Sequence, residues 1–178
     1  MIQNDYDKLK PARDDYRDIA VATEDAFTWD DAIQQTGPHG LYGVEFTSAQ
    51  NLELKKVEPE KFILLHQLDD AARVDAEQQP GFNFYFADEV PVHGLARSFC
   101  LWDTQEDASV ASQRDAHQNA VRYTFGEGKD VYARYGIKKF KLERTPKGLV
   151  FTPLMEIVVS YGKVVKHWQR PEDSPPGK

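Results

Sequence analysis

The chain has 178 residues, a formal net charge of −7 and a pI near 5.2, and 40% of its residues are hydrophobic. This length is enough for one domain with a substantial core. The acidic balance argues against a nucleic-acid partner, because phosphate binding needs a basic surface. No apolar run approaches the roughly 18 residues of a membrane span, and the polar N-terminus lacks the pattern of a signal peptide. We therefore expect a cytoplasmic protein with neither a membrane nor a nucleic-acid partner.

The first forty residues are polar and acidic. Their pattern predicts two helices, at 13–22 and 28–35. The segment 36–40 contains one proline and two glycines and ends this extension.

From residue 41 onward, strand and helix patterns alternate. In chain order they predict a strand at 41–47, a loop at 48–58, a helix at 59–79, and strands at 82–86 and 95–102. Thr104 and Asp107 have the spacing of a capping box, so a second long helix is expected from there to about residue 123. The remaining predicted elements are a short helix at 130–135, a strand at 137–144 and C-terminal strands within 149–168.

This order predicts an α+β fold with a ferredoxin-like βαββαβ core and an antiparallel sheet. An N-terminal helical extension, 1–40, precedes the core domain at 41–145, and a C-terminal β-hairpin at 146–169 joins the same domain. The tail at 170–178, rich in proline and charge, is predicted to be disordered. Both helices of such a core cover one sheet face, and an apolar second face must be buried by something else. We therefore predict a homodimer through the sheet, with the C-terminal strands either covering part of that face or extending the sheet toward the partner.

Two further patterns concern the strands. Cys100 is the lone cysteine and lies in an apolar run, so it is predicted to be a buried thiol and not a nucleophile. Four basic residues within 138–144 indicate an exposed sheet edge that is protected by lysine.

From residue 41 to residue 142 the chain resembles the dimeric α+β barrel superfamily, and in particular its antibiotic-biosynthesis-type monooxygenases and related small proteins. The resemblance rests on a helix ending in Asp75-Ala76 and followed by Pro80-Gly81-Phe82, and on a strand ending in Leu101-Trp102-Asp103-Thr104 with Asp115-Ala116-His117 downstream. Members often carry a tryptophan at that strand end and a histidine late in that helix. The resemblance implies oxygenation or cyclisation of a small molecule without a bound metal.

His117 is the candidate catalytic residue, as an acid–base group facing a cavity between helices and sheet. Its alternative role is a local hydrogen bond that holds the strand–helix corner. The candidate ligand-binding residues are His66, Tyr85, Phe99 and Trp102. For Trp102 the alternative is a place in the core, and for His66 it is an ion-paired helix edge.

Three functions remain open at this level. The first is a small-molecule enzyme that acts on an apolar or aromatic substrate, with no cofactor. The second is a non-catalytic ligand-binding or dimeric assembly protein. The third is haem binding through His117 or His66; haem-degrading relatives carry a tryptophan ten residues before the late-helix histidine, where this chain has Asp107. No histidine spacing typical of a metal site is present in the sequence, so no metal is predicted.

Overall fold

A computed structural model describes residues 4–88 and 93–170. The strands are β1 (Leu41–Gln50), β2 (Phe82–Ala87), β3 (Leu95–Trp102), β4 (Tyr132–Thr145), β5 (Gly148–Ser160) and β6 (Lys163–Gln169). The helices are α1 (Thr23–Ala26), α2 (Trp29–Ala32), α3 (Leu52–Val57), α4 (Pro59–Glu77), α5 (Gln105–Ser112) and α6 (Asp115–Phe125), and a 3-10 turn spans Tyr6–Lys8. The predicted disordered tail lies outside the described residues except for Arg170.

The six strands form one sheet in the order β2-β3-β1-β4-β5-β6, and every neighbouring pair is antiparallel. In its first four strands, the order β2-β3-β1-β4 with α4 between β1 and β2 and α5–α6 between β3 and β4 is that of a ferredoxin-like fold. The predicted fold class is therefore confirmed. The predicted C-terminal hairpin is β5–β6, which widens the sheet beyond the core.

Strand register separates the residues of the sheet into two faces. Because side chains alternate along a strand, the pairing of Val44 with Cys100 and Lys139 puts all three on the face toward α4–α6. The pairing of Gly43 with Leu101 and Phe140 defines the opposite face. A Cβ on Gly43 would lie 2.1 Å from the Phe140 ring, so this central position requires a glycine.

The helix layer packs most closely at the two ends of the first face. At one end, Tyr42 and Trp102 pack with Ala111 of α5 and Ala76 of α4. At the other, three hydrophobic residues of α4 and α6 pack with Val131 just before β4; they are Phe62, Leu65 and Tyr123. The predicted capping box starts α5: the Thr104 hydroxyl accepts a hydrogen bond of 3.1 Å from the Asp107 amide.

The N-terminal extension covers the opposite face of the sheet. Phe27 and Trp29 are each 3% exposed and pack against Phe99 with ring centroids 5.0 Å away. Trp29 also contacts the rings of Phe140 and Phe151. This face is therefore covered by residues of the same chain. The homodimer was predicted because an apolar sheet face was expected to be uncovered, and that reason is wrong.

Two arginines of the sheet attach the extension. Arg97, fully buried, donates to the carbonyl oxygens of Asp18 (2.8 Å) and Val21 (2.9 Å). Arg144 donates to the Ile33 carbonyl (3.1 Å) and to the Asp30 carboxylate (2.7 Å). The extension is thus held by specific polar contacts as well as by apolar packing.

Several predicted elements were wrong. Residues 13–22 form successive turns, and the predicted helix at 28–35 is reduced to α2, so the extension is helical only in short pieces. The predicted loop at 48–58 contains α3, whose N-terminus is capped by Asn51. The predicted long second helix is two helices broken near Arg114, and the predicted helix at 130–135 is the start of β4. Within residues 4–88 and 93–170, no helix is long and apolar enough to cross a membrane.

Candidate functional site

The partial exposure of the central strands indicates a cleft between the helix layer and the sheet. Val44 and Phe46 of the central strand β1 face the helices but remain partly exposed, whereas Glu45 and Thr47 on the opposite face are buried. The same alternation continues in β3, where residues 98 and 100 are partly exposed and 97 and 99 are fully buried. Helices that cover a central strand ordinarily bury the side chains beneath them. Because these side chains remain partly exposed, the helices do not pack closely against the middle of the sheet, and a cleft is left there.

Asp69 lies on the side of α4 that faces this cleft. Phe62, Leu65, Asp69, Ala72 and Ala76 follow one another at spacings of three and four residues, which places them on one side of a helix. Asp69 is nevertheless exposed, while the surrounding protein desolvates its carboxyl and, with the charge of Asp70, raises its pKa to about 6. A carboxyl group that contacts solvent and is also surrounded by protein atoms indicates a concave surface.

Two tyrosines of the sheet lie in the field of this carboxyl, and a third lies beside one of them. Burial raises the pKa of Tyr85 to about 12, and the charge of Asp69 adds to this effect. Burial, and then the charge of Asp69, also raise the pKa of Tyr132. The Tyr135 ring lies 5.7 Å from that of Tyr132, and burial raises its pKa to about 12. All three hydroxyls therefore stay protonated at neutral pH and are available as hydrogen-bond donors.

His117 of α6 lies near Lys139 of β4, on the same side of the sheet. Burial lowers the pKa of His117, and the positive charge of Lys139 lowers it further. Burial also lowers the pKa of Lys139. The imidazole is therefore neutral at neutral pH, and one of its ring nitrogens is free to accept a proton.

Cys100 and Trp102 occupy the helix-facing side of β3. The Trp102 indole N–H donates to the Cys100 sulfur at 3.0 Å, and Trp102 is 2% exposed. Burial raises the pKa of the Cys100 thiol to about 11, so it stays protonated at neutral pH. Trp102 is placed in the core at the end of the cleft, which is the alternative that the sequence left open for it.

The structure brings together only some of the predicted site residues. Tyr85 and His117 are both on the helix-facing side of the sheet, at the cleft. Phe99 is fully buried on the other face, against the N-terminal extension, and is separated from them by the sheet. His66 is exposed on α4. Asp69, Tyr132 and Lys139 were not predicted, although Asp69 interrupts the apolar stripe of α4 in a way that the sequence shows.

The two histidines do not fit an axial ligand of haem. Such a ligand faces a slab-shaped apolar cavity, whereas His66 points from an exposed part of α4 and His117 lies beside the ammonium group of Lys139. Among the described residues, no group of three or more His, Cys, Asp or Glu side chains is arranged to hold a metal ion.

Two surface grooves lie on the other side of the molecule. One, of about 270 Å³, is lined by the extension and β5, including Trp29, Asp31 and Phe151. The other, of about 500 Å³, is lined by Lys8, Lys10, Thr28, Asp31 and Gln34. Both are open to solvent and are lined by the N-terminal extension, on the sheet face opposite the tyrosines and His117, so we place the candidate site in the cleft.

The strand order and the cleft define an α+β protein of ferredoxin-like fold whose second sheet face is covered by its own N-terminal extension. The chain belongs to the family described as PB2B2.08-like, which matches residues 1–151. The match begins at residue 1, so the extension is part of the unit that the family shares. No curated protein matches the chain.

Solved structures similar to this chain include the group that the sequence resembles. A conserved protein from Methanosarcina mazei Go1 is 10% identical over 58% of this chain and 93% of its own, with a TM-score of 0.45. A proposed antibiotic biosynthesis monooxygenase from Caulobacter crescentus CB15 is 14% identical over 58% and 90%, with a TM-score of 0.45. SnoaB, a cofactor-independent oxygenase from Streptomyces nogalater, is 10% identical over 61% and 97%, with a TM-score of 0.41. The fold assignment rests on the strand order and register of this chain and not on these scores.

Proposed function

We propose that the protein is an enzyme that binds a small, largely apolar or aromatic molecule in the cleft between the helices and the sheet. The reaction is a cofactor-independent oxygenation or cyclisation, as the sequence resemblance implies. His117 acts as an acid–base group. The observation that carries the proposal is the difference in exposure between the two faces of β1. The side chains that face the helices are partly exposed, and those on the opposite face are buried.

The cleft has the composition of a small-molecule site. Such sites are mostly apolar and hold a few polar groups that fix the orientation of the ligand. Here Val44, Phe46 and the tyrosine rings supply apolar surface, and His117 and Asp69 supply titratable groups. Perturbed pKa values in a cleft are typical of functional sites, and both of these groups have them.

The first test asks whether the cleft binds an apolar molecule. N-phenyl-1-naphthylamine, a neutral probe whose fluorescence rises in apolar surroundings, is titrated into the protein. Ser98 lies on the helix-facing side of β3, so Ser98→Phe fills the cleft and is expected to weaken probe binding about tenfold or more. The exposed Ser109→Phe of α5 is the matched control and is expected to bind as the unaltered protein does. Equal binding by all three proteins would place the probe elsewhere and contradict the proposal.

The second arm of this test addresses His117. A small-molecule extract is incubated with the protein and analysed by mass spectrometry before and after. Conversion of a compound is expected to fall about a hundredfold or more in His117→Ala, the range that a general base contributes. The exposed Asn119→Ala on the same helix should convert it normally. Full conversion by His117→Ala would remove the acid–base role.

A further inference from the structure

Lys139 differs from the other half-buried lysines in having no polar partner. Within residues 4–88 and 93–170, its amino group makes neither a hydrogen bond nor an ion pair, although the residue is not exposed. Every other described lysine that is not exposed contacts a carboxylate or an amide oxygen: Lys55 with Gln50, Lys61 with Glu58, Lys138 with Glu45, and Lys141 with Glu143.

Strand register surrounds Lys139 with apolar side chains. It pairs with Val44 of β1 on one side and with Met155 of β5 on the other. Ile137 lies on the same face of β4, because side chains alternate along a strand. An ammonium group above these side chains loses contact with water and gains no negative charge in return.

The amine form of Lys139 is favoured by these surroundings. Burial lowers the pKa of Lys139, and no carboxylate of the described residues opposes this effect. His117 lies near it, and its neutral imidazole is able to accept the proton that the ammonium group gives up. An unprotonated lysine is a nucleophile, and desolvated lysines form Schiff bases with carbonyl compounds.

We propose that Lys139 is a nucleophile of the cleft, and that its ligand is a small apolar aldehyde or ketone, which it binds covalently as an imine. The lone pair of the nitrogen forms a bond to the carbonyl carbon. The carbonyl oxygen then leaves as water with the two hydrogens of the amine, and a C=N bond remains. No oxidant or reductant takes part. The inference rests on the proposed function for the existence of the cleft, and it adds a covalent site to it.

The test traps the imine with hexanal and sodium cyanoborohydride at about pH 7. Cyanoborohydride transfers a hydride to the C=N bond, so the reversible imine becomes a stable secondary amine. Peptide mass spectrometry with fragmentation identifies each alkylated lysine and follows its rate. The exposed Lys147 of the β4–β5 turn is the internal reference. We expect Lys139 to be alkylated about tenfold faster than Lys147 or more, because the cleft binds the alkyl chain beside a nucleophilic amine.

Three variants separate the amine from its surroundings. Lys139→Arg keeps the positive charge but forms no imine, so the fast alkylation should be lost. Lys141→Met is the matched control, since Lys141 lies on the same face of β4 and is ion-paired with Glu143 at 3.0 Å; Lys139 should react there as in the unaltered protein. Ser98→Phe fills the cleft and should slow the alkylation of Lys139 while that of Lys147 is unchanged. Thermal unfolding shows whether each variant keeps its fold.

The rates in the unaltered protein decide the assignment even if a variant fails to fold. Equal alkylation of Lys139 and Lys147 would overturn it, because the amino group would then extend into solvent as surface lysines do. Fast alkylation that persists in a folded Ser98→Phe would place the reaction outside the cleft and also overturn it. If N-phenyl-1-naphthylamine binds in the cleft but Lys139 is not trapped, the covalent site alone fails. If neither occurs, the proposed function fails with it.

Discussion

Arg97 and Glu45 form an ion pair inside the protein, beneath the N-terminal extension. Both side chains are fully buried, and the Arg97 Nη1 and Glu45 Oε2 atoms are 3.4 Å apart. Lys138 approaches Glu45 at 3.8 Å. Burial raises the pKa of Glu45 in spite of these two cations, so desolvation outweighs their attraction. The two guanidinium hydrogen bonds to the extension give Arg97 a role that a neutral side chain lacks.

Arg97→Leu removes these bonds and leaves a buried carboxylate without its main partner. We expect the free energy of unfolding at neutral pH, measured in urea, to fall by about 3–5 kcal/mol. The double variant Glu45→Gln/Arg97→Leu should recover part of that loss, because no charge is then stranded. The loss should also shrink in acid, since a glutamate with a raised pKa takes up a proton there and the folded state keeps it. A double variant less stable than Arg97→Leu would contradict this account.

At the level of elements, the sequence was sufficient to predict the main helices and strands of the core, but it was insufficient to predict the segments that connect them. Pro59, a residue type favoured at the first position of a helix, and the apolar stripe identified α4 almost to the residue. The capping box identified the start of α5. The turns at 13–22 were predicted to be a helix because the local spacing of apolar residues was the only guide. Two carbonyl oxygens of this segment accept hydrogen bonds from Arg97, which is nearly eighty residues away, and local spacing does not reveal such a contact. The basic strand β4 was taken for an edge, although β1 and β5 pair with its two sides.

The site was predicted in part for the same reasons. Tyr85 and His117 lie on the helix-facing side, and their part in a site stays a prediction. Phe99 and Trp102 are three residues apart in one strand, and strand alternation puts such residues on opposite faces, so the two could not have lined one pocket. Asp69 was detectable as a charged residue between Leu65 and Ala72 of the apolar stripe. Its surroundings were not, because Tyr132 and Tyr135 lie in the first part of β4, within the segment 130–135 that was predicted to be a short helix.

Trp29 joins the N-terminal extension to the sheet. It is 3% exposed, its indole N–H donates to the Thr23 carbonyl at 2.9 Å, and its ring contacts four phenylalanines. We expect Trp29→Ala to lower the free energy of unfolding by about 3–5 kcal/mol. The exposed Phe125→Ala should cost less than about 1 kcal/mol, since it loses one edge contact with Tyr135. Similar losses in the two variants would mean that the extension adds little to the core.

For the molecule as a whole, one group of exposed apolar side chains is at the C-terminal end of the sheet. The strand β6 lies at one edge of the sheet, and Val164, Val165 and Trp168 are 61%, 61% and 42% exposed. An edge strand has unpaired backbone groups, and exposed apolar side chains on it favour pairing with another strand. The opposite sheet face is already covered by the extension. We therefore propose that the homodimer forms through β6, which extends the sheet from one copy into the next, as one of the two arrangements considered from the sequence.

This arrangement predicts a particular effect on mass in solution. Sedimentation equilibrium at micromolar concentration should give about twice the chain mass of 20.3 kDa for the unaltered protein. The double variant Val165→Glu/Trp168→Glu should give the mass of one chain, because charges that face each other across paired edge strands repel. Ile63→Glu places the same charge on an exposed apolar residue of α4 and should leave the dimer intact. A dimer that survives in the double variant, or dissociates in Ile63→Glu, would move the interface away from β6 and toward the helix layer above the cleft.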